Sequence, residues 1–377
     1  MTDLIVVSLE DWDEVWRRNQ HLVAGLLRSR RVDRVLFVEP GSDPVHALRR
    51  RERPRRGRGL QPITDVAGVG ADRIWAYQPT KWLPRKFDPN SDARWASEIR
   101  RQVKEFDFAN PVLWVNDPLG AELLSTGWPA LYDITDDWLL ADRPAPELAR
   151  LRRQEDRLLT ACREVVVCSP ALSRTKSVQR AVTLIPNAVD LDPYRTRQSR
   201  PADLPSGPIA LYLGTSHRDR LDVELCIATA ARLADTGGHV VLIGPAPLPD
   251  EDLKRLDRAG AHVLGPRPSA SVPTYLQHAD VLLVPHVLSD FTASLDPIKA
   301  YEYRAARRPV VSTPVPGFVE ASDHLVRTVD PEVFAEAVAT AIALQVPWSG
   351  DLPKDIPSWS QRVKHMAEII SKVEVSH

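Results

Sequence analysis

The chain is poor in cysteine and in net charge, and it has no long apolar run. Its three cysteines, Cys162, Cys168 and Cys226, match no metal-ligand spacing. An odd, sparse set of this kind argues against a disulfide framework and suits a reducing, cytoplasmic setting. Lys and Arg total 49 against 50 Asp and Glu, a formal charge of −1, so no global field draws the chain to nucleic acid. No apolar stretch approaches the roughly 18–20 residues of a membrane span, and the opening residues Met1–Val7 lack the basic region of a signal peptide. Any membrane contact is expected to be peripheral. A dinucleotide turn is missing too. Where G-x-G-x-x-G would follow a first strand, the chain has Ser8-Leu9-Glu10-Asp11-Trp12-Asp13, bulky and acidic, which argues against a nicotinamide or flavin cofactor.

What is present is a strand–helix alternation long enough for two cores. Leu4–Leu9 and Val32–Glu39 read as buried strands on either side of a helix over Val15–Leu27, the order of a doubly wound α/β domain. Strands at Arg73–Tyr77, Pro111–Val115, Ala130–Ile134, Val165–Cys168 and Val182–Ile185 follow, with helices over Asp92–Phe106 and Pro146–Thr160. Arg195–Pro208 has three prolines and no periodicity, the composition of an interdomain linker. The alternation then restarts with a strand at Ile209–Gly214, a helix over Asp222–Ala234, and strands at His239–Gly244, Val263–Gly265 and Val281–Val284. The expected units are residues 1–195 and 205–350, with an amphipathic helix over 357–377 rejoining the first.

Candidate chemistry lies where these strands end, because open parallel sheets bind ligands at their carboxyl edge. Asn116-Asp117 closes one strand, and Asp117 there serves either as a catalytic base or as a simple Asx turn. Asp133, Asp136 and Asp137 cluster after another, and a helix cap explains them with less than a metal does. The turn beginning at Gly214 carries Arg218 and Arg220 ahead of a helix, a lining for phosphates or merely exposed charge. In Asp290–Thr313, a short helix from Pro297 to about Ala306 places Ile298, Tyr301 and Ala305 on one stripe and Lys299 and Glu302 on a neighbouring face. A lysine in the first turn opposes the helix dipole, and Lys before Glu is the poorer order for an ion pair. The arrangement suits an absent anion: a diphosphate on Lys299 and the helix N-terminus, with ribose hydroxyls on Glu302. Finally, Arg49–Arg58 holds seven arginines and one glutamate. It reads as an exposed loop, either solvated or facing an anionic membrane or acceptor, and it lacks the interleaved aromatics that would stack on nucleic-acid bases.

These residues carry a family resemblance along nearly the whole chain. Ile185-Pro186-Asn187-Ala188-Val189-Asp190, Tyr212-Leu213-Gly214, Ala279–Pro285, and Pro297-Ile298-Lys299-Ala300-Tyr301-Glu302-Tyr303 with Arg308-Pro309-Val310-Val311 are together similar to the GT-B glycosyltransferases. Within these the chain resembles family 4 and its bacterial branch making cell-surface polysaccharides such as teichuronic acid, a likeness shared by Trp12 and Arg17-Arg18-Asn19-Gln20. The resemblance implies two facing Rossmann-like domains, with a terminal helix from Trp359 crossing back to the first. It further implies transfer of a sugar from a nucleotide diphosphate to a hydroxyl acceptor, with retention slightly favoured; no convincing metal-ligand set stands in the sequence, so the transfer is expected to need no metal or cofactor. Glu302 matches the second glutamate of the family's E-x7-E motif. Ser294 stands where the first would be, Arg307 where a glycine usually precedes the basic-Pro-Val-Val, and Ala188 where IPNGVD has glycine. A non-catalytic nucleotide-sugar-binding protein and a nucleotide-sugar epimerase share the architecture and remain open.

Overall fold

The computed structural model describes residues 2–49, 53–83 and 87–375. Among these the strands form two sheets. The first runs from edge to edge through Gly59–Pro62, Ile74–Gln78, Arg34–Val38, Asp3–Val7, Val112–Val115, Ala130–Ile134, Glu164–Val167 and Thr183–Leu184, parallel except for Gly59–Pro62. The second runs through His262–Gly265, His239–Ile243, Ile209–Leu213, Val281–Val284, Val310–Ser312 and Val326–Thr328, parallel throughout. Parallel sheets are covered on both faces, which is why their central strands read as unbroken apolar runs. Ile5 and Val7 belong to the core on one side of the first sheet, Leu4 and Val6 to the core on the other. Ile209 and Leu211 alternate with Ala210 and Tyr212 in the same way in the second.

The arginine-rich stretch departs from a purely irregular loop. Arg49 ends a short helix, Pro44–Arg49. Residues 50–52 lie outside the described residues, and Gly59, with φ +65°, turns the chain into the antiparallel edge strand. An edge tolerates Pro62, since no further strand needs its missing N–H. Helices Asp250–Arg258 and Phe334–Ala343 and strand Val326–Thr328 were not evident from pattern. The first carries mostly charge, and the strand is too short to alternate.

The terminal helix, Trp359–Val375, crosses back and packs on Arg18–Arg28 of the first domain. Val363, Met366, Ile369, Ile370 and Val373 join that domain's core, and His21 stacks on Trp359 with ring centroids 4.6 Å apart. The return strand of chain runs beside the outgoing one: Val189 N–H donates to Pro357 O at 3.2 Å. Close approach of the two helices depends on Gly25, where an added Cβ would stand 2.3 Å from Val363 Cγ2. Gly25→Ala is therefore expected to lower stability by about 1–3 kcal/mol through overpacking, outweighing the roughly 1 kcal/mol that alanine adds in a helix. Thermal denaturation checks this, and Gly25→Ala combined with Val363→Ala should be more stable than the two single losses summed.

Candidate functional site

A cleft of about 1520 Å³ lies between the two sheets. Its walls come from residues just past strand ends: Glu10, Asn116 and Asp136 from the first domain, Gly214, Gly244 and His286 from the second. In each sheet the strand order reverses here, at Asp3–Val7 beside Val112–Val115 and at Ile209–Leu213 beside Val281–Val284. Connections leave such a point in opposite directions and open a crevice.

The second-domain wall is built around Lys299. The Lys299 Nζ lies 3.9 Å above the Tyr212 ring and within hydrogen-bond distance, 3.2 Å, of His286 Nε2. Gly214 leaves it room: a Cβ there would stand 2.8 Å from that Nζ and 3.2 Å from Tyr212 Oη, and φ is +140°. Gly244 backs the same turn at φ +130°, and a Cβ on it would fall 2.3 Å from Gly214 O. Tyr303, fully buried, holds the turn from beneath. Its Oη accepts from Leu213 N–H at 2.8 Å and donates to Leu283 O at 3.2 Å. Arg220 enters the cleft with its guanidinium 5.4 Å over the Phe291 ring. Burial, reinforced by Arg220, pushes the Lys299 pKa well below the ordinary lysine range. Burial also pushes His286 well below its usual value, with Lys299 and Arg220 adding to the shift. Beside them burial raises the Glu302 carboxyl to about 7, against the opposing pull of Lys299. The wall thus gathers Lys299, His286 and Arg220 around two glycine turns, with Glu302 and Asp219 as the neighbouring carboxyls.

The helix carrying these groups is Ile298–Ala306. Its buried face is Ala300, Tyr303 and Ala306 with Ala305, which corrects the stripe through Ile298 and Tyr301. Those two are half-buried because they serve the domain junction. Ile298 packs against the first domain's core, and Tyr301 Oη donates to Asp296 Oδ1 at 2.7 Å. Ser294 is buried, with its hydroxyl bonded to Phe291 O at 2.7 Å and its carbonyl accepting from Ser169 Oγ at 2.6 Å. It fills a contact between the domains and brings no acid to the cleft. Arg307 takes the left-handed helix end at φ +54° that glycine usually fills, and pairs with Asp323 at 2.8 Å.

The first-domain wall rests on Arg18, Asn19 and Gln20. Arg18 makes a two-point contact with Asp133 at 3.0 and 3.1 Å and donates to Ile185 O at 2.8 Å. Asn19 donates to Asn116 Oδ1 at 3.0 Å and Ser8 Oγ at 3.2 Å, while Gln20 Nε2 holds Asp11 O at 3.0 Å. The turn presented in this way carries Glu10. A third of its side chain is open to the cleft, and Arg17 lies 3.4 Å away. Burial raises the Glu10 carboxyl to about 7, with Arg17 opposing. Of the three clustered aspartates, Asp133 is neutralised by Arg18 and Asp137 by Lys176 at 3.2 Å, which also holds Glu155 at 2.8 Å. Removing one partner of such a buried pair costs about 3–5 kcal/mol, so these acids are structural. Asp136 alone of the three lines the cleft, 3.6 Å from Arg220 of the other domain, and burial raises its pKa.

The structure therefore brings together Gly214, Arg220, Lys299 and Glu302. It places two other candidates elsewhere. Arg218 makes a two-point ion pair with Asp252 at 2.5 and 2.7 Å and does not line the cleft. Asp117 Oδ1 accepts from Leu119 N–H at 2.9 Å as the cap of Pro118–Thr126, and the residue lines a separate pocket of about 300 Å³. Glu10 and His286 went unrecognised as site residues in the sequence. Both follow strand ends by two or three residues, so the carboxyl-edge rule that selected Asp117 would have found them.

Several contacts hold the walls together. Asn187 N–H donates to Asp296 Oδ2 at 2.5 Å and its Nδ2 to Asp296 O at 2.6 Å. Trp138 of the first domain packs on Phe291 of the second at 5.6 Å, in a small apolar cluster with Ala141 and Leu295. On another side Ser269 N–H donates to Glu14 O at 2.8 Å.

Comparison with known proteins agrees with this geometry. Residues 207–343 match the family described as "Glycosyl transferases group 1". No curated protein matches. Among solved structures, sucrose-phosphate synthase from Thermosynechococcus elongatus is similar at TM-score 0.65 and 17% identity, over 99% of this chain and 97% of that one. Anabaena Alr3699/HepE in complex with UDP-glucose is similar at TM-score 0.64 and 14% identity, over 98% and 100%. The E. coli trehalose-6-phosphate protein bound with UDP-2-fluoro glucose follows at 0.61 and 12%, over 99% and 96%. At these identities the likeness is one of fold. Along its whole length the chain has the GT-B architecture of two facing parallel-sheet domains, and the residues that match the group 1 glycosyltransferases, 207–343, lie in the second.

Proposed function

We propose that the protein transfers a sugar from a uridine-diphosphate donor to a hydroxyl acceptor. The observation that carries this is the crowding of Lys299, His286 and Arg220 around the Gly214 turn, where burial and mutual repulsion lower the pKa of the first two. A diphosphate placed there relieves both costs at once, receiving hydrogen bonds from Lys299 and Arg220 and facing the N-terminus of Ile298–Ala306. Glu302, one turn along, accepts from the ribose hydroxyls. The UDP-glucose and UDP-2-fluoro glucose bound by structures of the same fold support uridine as the base.

In the transfer, the acceptor oxygen bonds to the anomeric carbon while the bond from that carbon to the phosphate oxygen breaks, and the diphosphate leaves with the electron pair. The positive groups of the second domain stabilise the charge that develops on it. We favour retention, in which the departing phosphate oxygen takes the acceptor proton on the same face, and no metal is required by this route. Glu10 and Asp136, on the opposite wall, orient the acceptor. The acceptor we favour is a lipid-linked glycan of the cell-surface polysaccharide class, on the family 4 likeness of the motifs.

Incubation with a panel of nucleotide sugars and acceptors, followed by measurement of nucleotide release, tests the assignment. Release that depends on acceptor is expected. Binding without release across the panel would favour a non-catalytic protein, and interconversion of epimeric donors without acceptor would favour an epimerase. Lys299→Ala is expected to lower kcat/KM by about 100- to 1,000-fold, and Gly214→Ala to lower it as well, because the turn holds φ at +140°, where a side chain strains the backbone.

Because Glu302 titrates near 7 and accepts best as a carboxylate, the donor KM should rise as pH falls below about 7. Glu302→Gln should have a higher donor KM throughout and lose that acidic limb.

On the acceptor side, Glu10→Gln is expected to cost more in acceptor KM than Asp117→Asn. The reverse order would return the role to Asp117.

A further inference from the structure

The described end of the arginine-rich stretch, residues 53–58, is one part of a larger face. Ser42 N–H donates to Pro79 O at 2.9 Å, Lys81 N–H to Ser42 O at 2.8 Å and Ser42 Oγ to Arg55 O at 2.7 Å, while Gly57 N–H donates to Thr80 Oγ1 at 2.9 Å. These bonds fasten the segments around 42–48, 55–58 and 79–83 side by side. Together they present apolar side chains that water would normally exclude: Leu48 is 61% exposed, Trp82 55%, Leu83 49% and nearby Phe87 66%. Arg53, Arg55 and Arg56 are exposed beside them, and the Arg56 guanidinium lies 4.9 Å over the Trp82 ring.

We infer that this face seats on an anionic lipid surface, with Leu48, Trp82, Leu83 and Phe87 entering the interface and Arg53, Arg55 and Arg56 meeting the headgroup phosphates. Three observations select a membrane over other partners. A mixed face of large apolar side chains and arginines suits the boundary between acyl chains and anionic headgroups, where each kind of group finds its own medium. Nucleic acid would use the arginines and aromatic rings but gains nothing from Leu48 and Leu83, and Arg56 already covers a face of the Trp82 ring. The charge is local in a chain whose total is −1, so it marks this face and not the protein as a whole.

The location links the face to the cleft. Its segments follow the carboxyl ends of Arg34–Val38 and Ile74–Gln78, the same edge of the first sheet from which Glu10 and Asp136 project. Arg58, the last arginine of the run, grips both Glu39 oxygens at 2.7 Å. Glu39 Oε1 also accepts from Trp12 N–H at 2.8 Å, two residues beyond Glu10. A bilayer on this face therefore lies beside the acceptor wall. The docking inference stands on the surface itself and does not require that the protein transfer a sugar.

Sedimentation of the full chain with vesicles tests it. Binding is expected to phosphatidylcholine vesicles containing phosphatidylglycerol, much more weakly to phosphatidylcholine alone, and less at high salt. Replacing Arg53, Arg55 and Arg56 together with serine should weaken binding roughly 100-fold, about fivefold per arginine. Trp82→Ser with Phe87→Ser should leave low-salt binding and remove the part that survives high salt. Unchanged melting and unchanged UDP binding show that the variants are folded and the cleft intact. Absence of binding to anionic vesicles at low salt overturns the inference, as does wild-type binding by both variants. Preference for single-stranded RNA over anionic vesicles, with the apolar pair inert, overturns it in favour of a nucleic-acid partner.

Discussion

Lys299 ends against the Gly214 turn, whose φ of +140° only glycine adopts without strain, and the second-domain wall is built on that fit. A Cβ at 214 would meet the Lys299 Nζ at 2.8 Å. The turn itself is held by a hydrogen bond from Leu213 to the buried hydroxyl of Tyr303, which sits on the same helix as Lys299. One nine-residue helix thus supplies the lysine, the glutamate beside it and the tyrosine that shapes the backbone opposite. Burial deprives the lysine of water, and Arg220 repels its charge more than Glu302 offsets. The ionised form is therefore costly until an anion arrives, and interaction energy is reserved for the ligand.

The opposite wall follows another logic. Its acids are either spent on structure or left open to the cleft, and Arg18 and Lys176 take the first kind. By closing on Asp133 and on the carbonyl of Ile185, this arginine ties the end of one strand to the start of the domain crossing. The neighbouring Asn19 and Gln20 hold the turn with Glu10 at its tip. Three consecutive helix residues position a loop from one strand against the ends of two others. The polar sequence Arg17-Arg18-Asn19-Gln20 is explained by this task, since residues 18–20 are all buried and all bonded.

The two walls meet through bonds that need both domains. Asn187 gives two hydrogen bonds to Asp296, Ser169 bonds the carbonyl of Ser294, and Trp138 packs on Phe291. Ser294 belongs here: a small hydroxyl residue fits a buried contact where a carboxylate would be desolvated.

Two doubly wound domains and the returning helix were legible in the chain because buried parallel strands are apolar without interruption and amphipathic helices are periodic. The stretch expected as a linker, Arg195–Pro208, is instead joined to the second domain, where Leu204 lies in the core and Tyr275 Oη donates to Asp203 at 2.8 Å. Lys299 and Glu302 were legible for a different reason: their order along one helix is electrostatically awkward without a ligand. Local pattern could not say which of Arg218 and Arg220 enters the cleft, since both lie in the same turn and only Asp252, 34 residues from Arg218, takes one of them away. Nor could it separate Asp117 from Glu10, or Asp136 from Asp133 and Asp137. Each pair or trio shares its local signal, and the difference is made by partners on other strands and in the other domain. The sequence by itself determined the architecture and the uneven placing of charge on the helix of Lys299 and Glu302. Tertiary structure decided which charges are neutralised and which remain for a substrate, because neutralisation is a contact between residues distant in the chain.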